Sequence, residues 1–248
     1  MDLSRLPMQQ GFRLRGEAVT RLETFVDAAF AFAVTLLVVS FDAMPDSFVE
    51  LHDALRRLPA FLAGFTILAM FWHSHYRFSR RFGLEDGAVV ILSLALVAAT
   101  LFYVYPLRMV MSAGMHHATG GWAPSEFEVD SLDQFRAIFV IYGVGFAVLS
   151  SITGWLHWHA LRHADALRLD AAERLGTHAE VVVALVLVGC ALLSIAIALL
   201  LPDHLGWGWH LALPGLTYAL LGVVLPVYGS LMDRRVAVLA AQRGPAAP

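Results

Sequence analysis

Arg21-Leu22-Glu23-Thr24-Phe25-Val26-Asp27-Ala28-Ala29-Phe30-Ala31-Phe32-Ala33-Val34-Thr35-Leu36-Leu37-Val38-Val39 is an apolar run whose charges are gathered at its N-terminal end. A helix needs about 20 mostly apolar residues to cross the ~30 Å hydrocarbon layer, and this run has that length. Asp27 is the informative residue, because it lies one to two turns inside the run. A carboxylate at such a depth costs a few kcal/mol unless a partner or water compensates it. It therefore latches helices together, serves a transport path, or does both.

Helical spacing divides the run into faces. Arg21, Phe25, Ala28, Phe32, Thr35, Leu36 and Val39 follow the i, i+3, i+4, i+7 stripe. Asp27 precedes Phe32 by five residues, roughly 140° around a helix of 3.6 residues per turn. The acid is therefore expected to point toward neighbouring helices, away from the stripe.

The rest of the chain fits the same medium. Its 248 residues are 58% hydrophobic and 15% charged, with a mean hydropathy of +0.67. A soluble domain would carry about a quarter charged residues. Further apolar runs fall at 55–77, 87–114, 135–161, 178–201 and 209–231, so an all-α membrane protein with six transmembrane helices is expected. The alternating ten-residue pattern of a membrane barrel does not occur. The lone Cys190 excludes an intrachain disulfide, and disordered or nucleic-acid-binding classes are excluded by composition.

Orientation follows from arginine, which supplies all 17 basic residues. Arg5, Arg13 and Arg15 precede the first run and Arg21 opens it; Arg77, Arg80 and Arg81 lie at the end of the second or follow it; Arg162, Arg168 and Arg174 follow the fourth; Arg234, Arg235 and Arg243 follow the sixth. Short cytoplasmic loops carry the basic excess, so both termini are expected in the cytoplasm. The opposite loops carry Asp42, Asp46, Glu50, Asp53, Glu126, Glu128, Asp130, Asp133 and Asp203. Acids around a pore mouth would concentrate cations. The expected division is a cytoplasmic segment at 1–20 without a signal-peptide pattern, a membrane domain at 21–231 and a cytoplasmic tail at 232–248.

The 11 histidines raise a metal or haem reading. His73/His75 and His157/His159, two residues apart, point to nearly opposite helix faces. His159/His163, at i and i+4, can chelate, but no Glu or Cys is placed by sequence to complete the set. No metal site and no cofactor is expected. Phosphate loops, nucleophile elbows and zinc-protease pairs are absent, so no enzyme is expected either. Gly143, Gly145 and Gly206 read as helix packing or turns.

Arg21-x-x-x-Phe25-Val26-Asp27, with the Ala-rich stretch and Thr35-Leu36-Leu37 behind it, resembles the Arg-x-x-x-Phe-Ser-Asp signature of the transmembrane protein 175 family of bacterial and lysosomal potassium channels. Trp72-x-x-His75-Tyr76 resembles that family's Trp-x-x-His-His segment, and Leu92-Ser93-Leu94 with Tyr105-Pro106-Leu107 resembles its third span. The resemblance covers about residues 17 to 110. It implies a homotetramer of six-helix subunits in the bacterial inner membrane, with the first helix lining a central pore and potassium as the permeant ion. Carried over by position, Phe32 is the narrowest ring, Leu36 and Val39 continue the apolar constriction, and Thr35 is the hydroxyl-bearing ring. A hydrophobic ring gates by dewetting, and hydroxyls partly replace a cation's water. Arg21, Phe25, Asp27, Trp72 and His75 form the motif and assembly network, with an Arg21–Asp27–His75 cluster expected. Val26 stands where the signature has Ser, Ser93 where Asn is usual, and Phe32 where Ile or Leu is.

The expected function is a potassium-preferring cation channel whose partners are other copies of itself, the bilayer and monovalent cations. The alternatives are a proton/cation transporter using Asp27 and the histidines, a membrane-embedded redox or metal enzyme, or a non-conducting structural homologue.

Overall fold

The computed structural model describes residues 6–38, 46–127, 129–202 and 209–242. Arg5, Val39, Asp42, Glu128, Asp203, Gly206 and Arg243, all named above, lie outside the described residues. The chain opens with a small antiparallel hairpin, β1 (Met8–Gln9) and β2 (Phe12–Arg13). Gln10 and Gly11 join its strands with φ of 49° and 81°, the positive-φ pair that a primed two-residue turn requires.

Among the described residues seven α-helices follow: α1 (Arg21–Val38), α2 (Phe48–Arg56), α3 (Leu58–Phe82), α4 (Gly87–Ala118), α5 (Leu132–Arg162), α6 (Ala171–Leu200) and α7 (Leu213–Ala241), the last led in by a 3₁₀ turn at Trp209–Ala212. The second apolar run falls almost wholly within α3, and a short polar helix, α2, precedes it. Pro59 sits in the first turn of α3, where a missing N–H costs nothing, and α2 meets α3 at 43°. Pro106 and Pro226 lie inside α4 and α7 without ending them.

Local sequence explains the helix ends. Ser131 caps α5 by accepting from the Gln134 amide. Gly83 closes α3 at φ 58°, a left-handed position that favours glycine. Asp170 and Glu173 form a reciprocal capping box on α6. Among the described residues four helices are long and apolar enough to cross a membrane, with α2–α3 as a fifth if the bent pair is one span. The shorter α1 is not among them, and it carries Arg21, Glu23 and Asp27. The crossings assigned by length and composition are therefore fewer than the six expected.

Side-chain contacts sort the helix ends into two faces. On one, Arg13 reaches Asp170 at 2.8 Å, the Gly16 amide donates to the Arg80 carbonyl, and His159 meets Asp86. A Cβ on Gly11 would lie 2.9 Å from Val236 of α7, so the hairpin and the C-terminal half of α7 share this face. On the other, Arg57 and Arg108 both bind Glu126, while Arg136 donates to the Leu201 carbonyl at 2.6 Å. The apolar core between them joins Val26, Phe30, Ala33 and Leu37 of α1 to Leu68 and Phe71 of α3, Leu96 and Tyr103 of α4, and Phe146 of α5.

The hairpin is part of the packed structure. Phe12 is buried, edge-on to Phe82 at 6.5 Å, and the Arg81 guanidinium lies 4.0 Å over its ring. Behind it, Glu173 is fully buried and accepts from Arg15 Nη2 at 2.9 Å and from the Arg13 amide at 2.8 Å. Arg15 also donates to the Leu167 carbonyl at 3.0 Å. Removing one partner of such a pair leaves a buried charge unmet, which costs about 3–5 kcal/mol. Glu173→Gln is thus expected to lower the melting temperature in detergent by several degrees or more, and a wild-type value would show that the hairpin does not depend on the pair.

Candidate functional site

The first helix has two unlike sides. Thr20 starts it, its hydroxyl accepting from the Glu23 amide at 3.2 Å. Glu23, Val26, Phe30, Ala33 and Leu37, spaced three and four apart, are buried against the bundle. Arg21, Phe25, Ala28, Phe32 and Thr35 are left uncovered by the rest of the chain, with Phe25 52% and Phe32 55% exposed. Leu36 is half-buried at the edge of this face.

Asp27 fixes which side turns inward. Its Oδ1 accepts from Trp72 Nε1 at 2.8 Å, and the Trp72 ring stacks on Tyr76 at 5.7 Å and 21°. One turn along α3, His75 does not reach the acid; its Nε2 lies 3.0 Å from Ser93 Oγ on α4, and both residues are buried. The expected Arg21–Asp27–His75 cluster is therefore corrected. Trp72 supplies the donor to Asp27, His75 ties α3 to α4, and Arg21 lies exposed at the helix start. The physical reason is register: residues three apart on α3 lie about 60° apart around its axis, enough to face two different neighbours, α1 and α4.

The departures from the signature have local explanations. Val26 is fully buried among apolar side chains, where a hydroxyl would need a partner of its own. Ser93, also fully buried, is the partner that His75 uses. Gly64 lets α3 approach α1 closely, since a Cβ there would meet Leu37 Cδ2 at 3.0 Å.

The uncovered face offers apolar rings and one hydroxyl. Thr35 Oγ1 donates to the Ala31 carbonyl at 3.0 Å, so the lone pairs of the hydroxyl remain for a cation or water. Trp155-Leu156-His157-Trp158-His159 of α5 echoes the Trp-His segment of α3 in composition but contributes nothing comparable. His157 is buried with its Nδ1 2.9 Å from the Thr153 carbonyl and its ring edge-on to Phe78 and Phe82.

Spacing alone missed two arrangements. The Arg15–Glu173 pair was signalled only by Asp170-x-x-Glu173, a capping-box pattern ahead of an apolar run. Asp86, His159 and His163 form the metal-capable group found among the described residues; here α4 brings the acid that the sequence neighbourhood of the histidines lacked. The bond from His159 also holds the Asp86 carboxyl below its ordinary range.

Three similarities to known proteins bear on the chain. The profile of the family described as endosomal/lysosomal potassium channel TMEM175 matches residues 21–105, which include the Asp27, Trp72, His75 and Ser93 contacts. A protein of Marivirga tractuosa described as a potassium channel is 29% identical over 236 residues, 92% of this chain and 93% of its own. The crystal structure of a variant of the potassium channel MtTMEM175, in complex with a nanobody-MBP fusion protein, matches with a TM-score of 0.74 at 27% identity over 92% of this chain and 100% of that one.

Trp72→Phe keeps the aromatic bulk and removes the donor to Asp27. It is expected to cost about 1.5–3 kcal/mol, the range for a hydrogen bond to a charged group. Asp27→Asn retains an acceptor oxygen and should cost less. Thermal unfolding of both variants in detergent checks this ordering, and a Trp72→Phe protein as stable as wild type would contradict it.

Proposed function

We propose that this chain is a member of the TMEM175 potassium channel family, to which its similarities point, and a potassium-preferring cation channel of the bacterial inner membrane. The observation that carries the proposal is the sidedness of α1. One face is packed and pinned through Asp27 to Trp72, while the face bearing Phe25, Ala28, Phe32 and Thr35 is left uncovered by its own chain.

In this reading four copies turn those faces toward one axis. Phe32 forms an apolar constriction that closes by excluding water, Leu36 and Val39 extend it, and Thr35 supplies a ring of hydroxyl oxygens. The chain crosses the membrane six times, with α1 and the α2–α3 pair counted as spans. Both termini face the cytoplasm, residues 21–231 form the membrane domain, and segments 1–20 and 232–248 flank it. The arginines around α3, α5 and α6 on the hairpin face support this orientation.

No bound cofactor is needed for this activity. Selectivity without a carbonyl-lined filter comes from the hydroxyl ring and the width it permits, and the gate from apolar bulk.

The test is cation flux into liposomes holding the purified protein. Phe32→Ala is expected to raise potassium flux severalfold above wild type; unchanged flux would remove Phe32 from the path. Thr35→Val, which keeps the shape and deletes the hydroxyl, is expected to narrow the difference between potassium and sodium flux. A preserved preference would move selectivity away from Thr35.

A further inference from the structure

On the hairpin face, well separated in sequence from α1, two histidines of α5 and the capping acid of α4 come together. One ligand atom from each of Asp86, His159 and His163 lies within 4.8 Å of the others. Three contacts set how these groups are presented. Asp86 Oδ1 accepts from the Ala88 and Val89 amides at 2.9 and 3.2 Å, which leaves Oδ2 directed at α5. There it lies 2.8 Å from His159 Nε2.

His163 Nδ1 is 3.0 Å from the His159 carbonyl. A carbonyl only accepts, so this nitrogen carries the proton and Nε2 keeps its lone pair. A ring N–H held by a backbone carbonyl is the outer contact that usually orients a metal-ligating histidine. The two imidazoles are adjacent, with centroids 4.4 Å apart.

Two arginines near the group in sequence have partners of their own. Arg162, between the histidines in sequence, has its guanidinium over the Trp158 ring at 5.0 Å. Arg174 is paired with Asp165. Glu85 adds a further exposed carboxylate next to Asp86.

From this geometry we infer that Asp86, His159 and His163 form a binding site for a divalent transition-metal ion of the zinc type. Two imidazoles and a carboxylate suit such ions; magnesium and calcium prefer all-oxygen sets. Ligands at about 2.0–2.2 Å from a tetrahedral ion lie about 3.4 Å apart, between the present 2.8 Å Nε2–Oδ2 separation and the 4.8 Å limit of the group. Ligation through His159 Nε2 shifts the ring proton to Nδ1, so the imidazole stays neutral as it exchanges its bond to Asp86 for the ion, and water completes the coordination. The ion would fasten the turn between α3 and α4 to the end of α5.

The experiment is calorimetric titration of the full chain, purified in detergent and freed of metal by chelation, with zinc chloride. One saturable site per chain is expected, with magnesium not competing. His163→Gln removes an exposed ligand, and Asp86→Asn keeps an oxygen for the helix cap. Each is expected to weaken zinc binding at least tenfold, with thermal unfolding confirming that both variants are folded. Absence of a saturable site in the wild-type chain, or unchanged affinity in either folded variant, overturns the three-ligand site.

Discussion

A carboxylate within an apolar helix bundle must be met by a donor, and the bond from Trp72 to Asp27 meets that demand at 2.8 Å. Much of the arrangement depends on it because it sets the rotation of α1 about its own axis. A helix turned by one residue would swing its face by about 100°, placing Phe32 against the core and Phe30 outside. Apolar packing alone tolerates such errors among Ala and Phe residues. A directional bond to a charged group does not, and so a polar contact determines which apolar side chains are left uncovered.

The segment before α1 is fastened by the same logic with stronger terms. Glu173 is withdrawn from solvent and answered by Arg15 and by the Arg13 amide. Hairpin, α3 and α6 therefore meet at one junction, and α1 leaves it directly. The position of α1 along its axis is set by this junction and its rotation by Asp27. Two constraints of different kind act on the helix with the uncovered stripe.

How much of this was legible in the sequence depends on the range of the interaction. The faces of α1 are local and periodic, so the stripe through Phe25, Phe32 and Thr35 could be read from spacing, as could the apolar runs and the caps at Ser131 and Asp170. The break between α2 and α3 had its signals in Arg56-Arg57 and Pro59, while α2 itself, carrying Glu50, His52, Asp53 and Arg56, was too polar to stand out as part of a span. The hairpin had little to announce it, because Gln10-Gly11 is a weak turn signal and its strands are two residues each. The partners of His75 and Asp86 were not legible. Ser93 and His159 lie 18 and 73 residues away, and no spacing rule connects side chains across separate helices.

The last helix shows where the protein's own interactions stop. Leu216, Leu220, Val223, Val224, Val227 and Leu231 of α7 are exposed, so much of its apolar surface is left for acyl chains or another copy of the chain to cover. In thermodynamic terms the surrounding medium is then a component of the folded state, comparable to a ligand present in excess. Chain length and headgroup of the detergent become variables of stability alongside temperature. Two laboratories working in different micelles would be measuring different reference states of the same sequence.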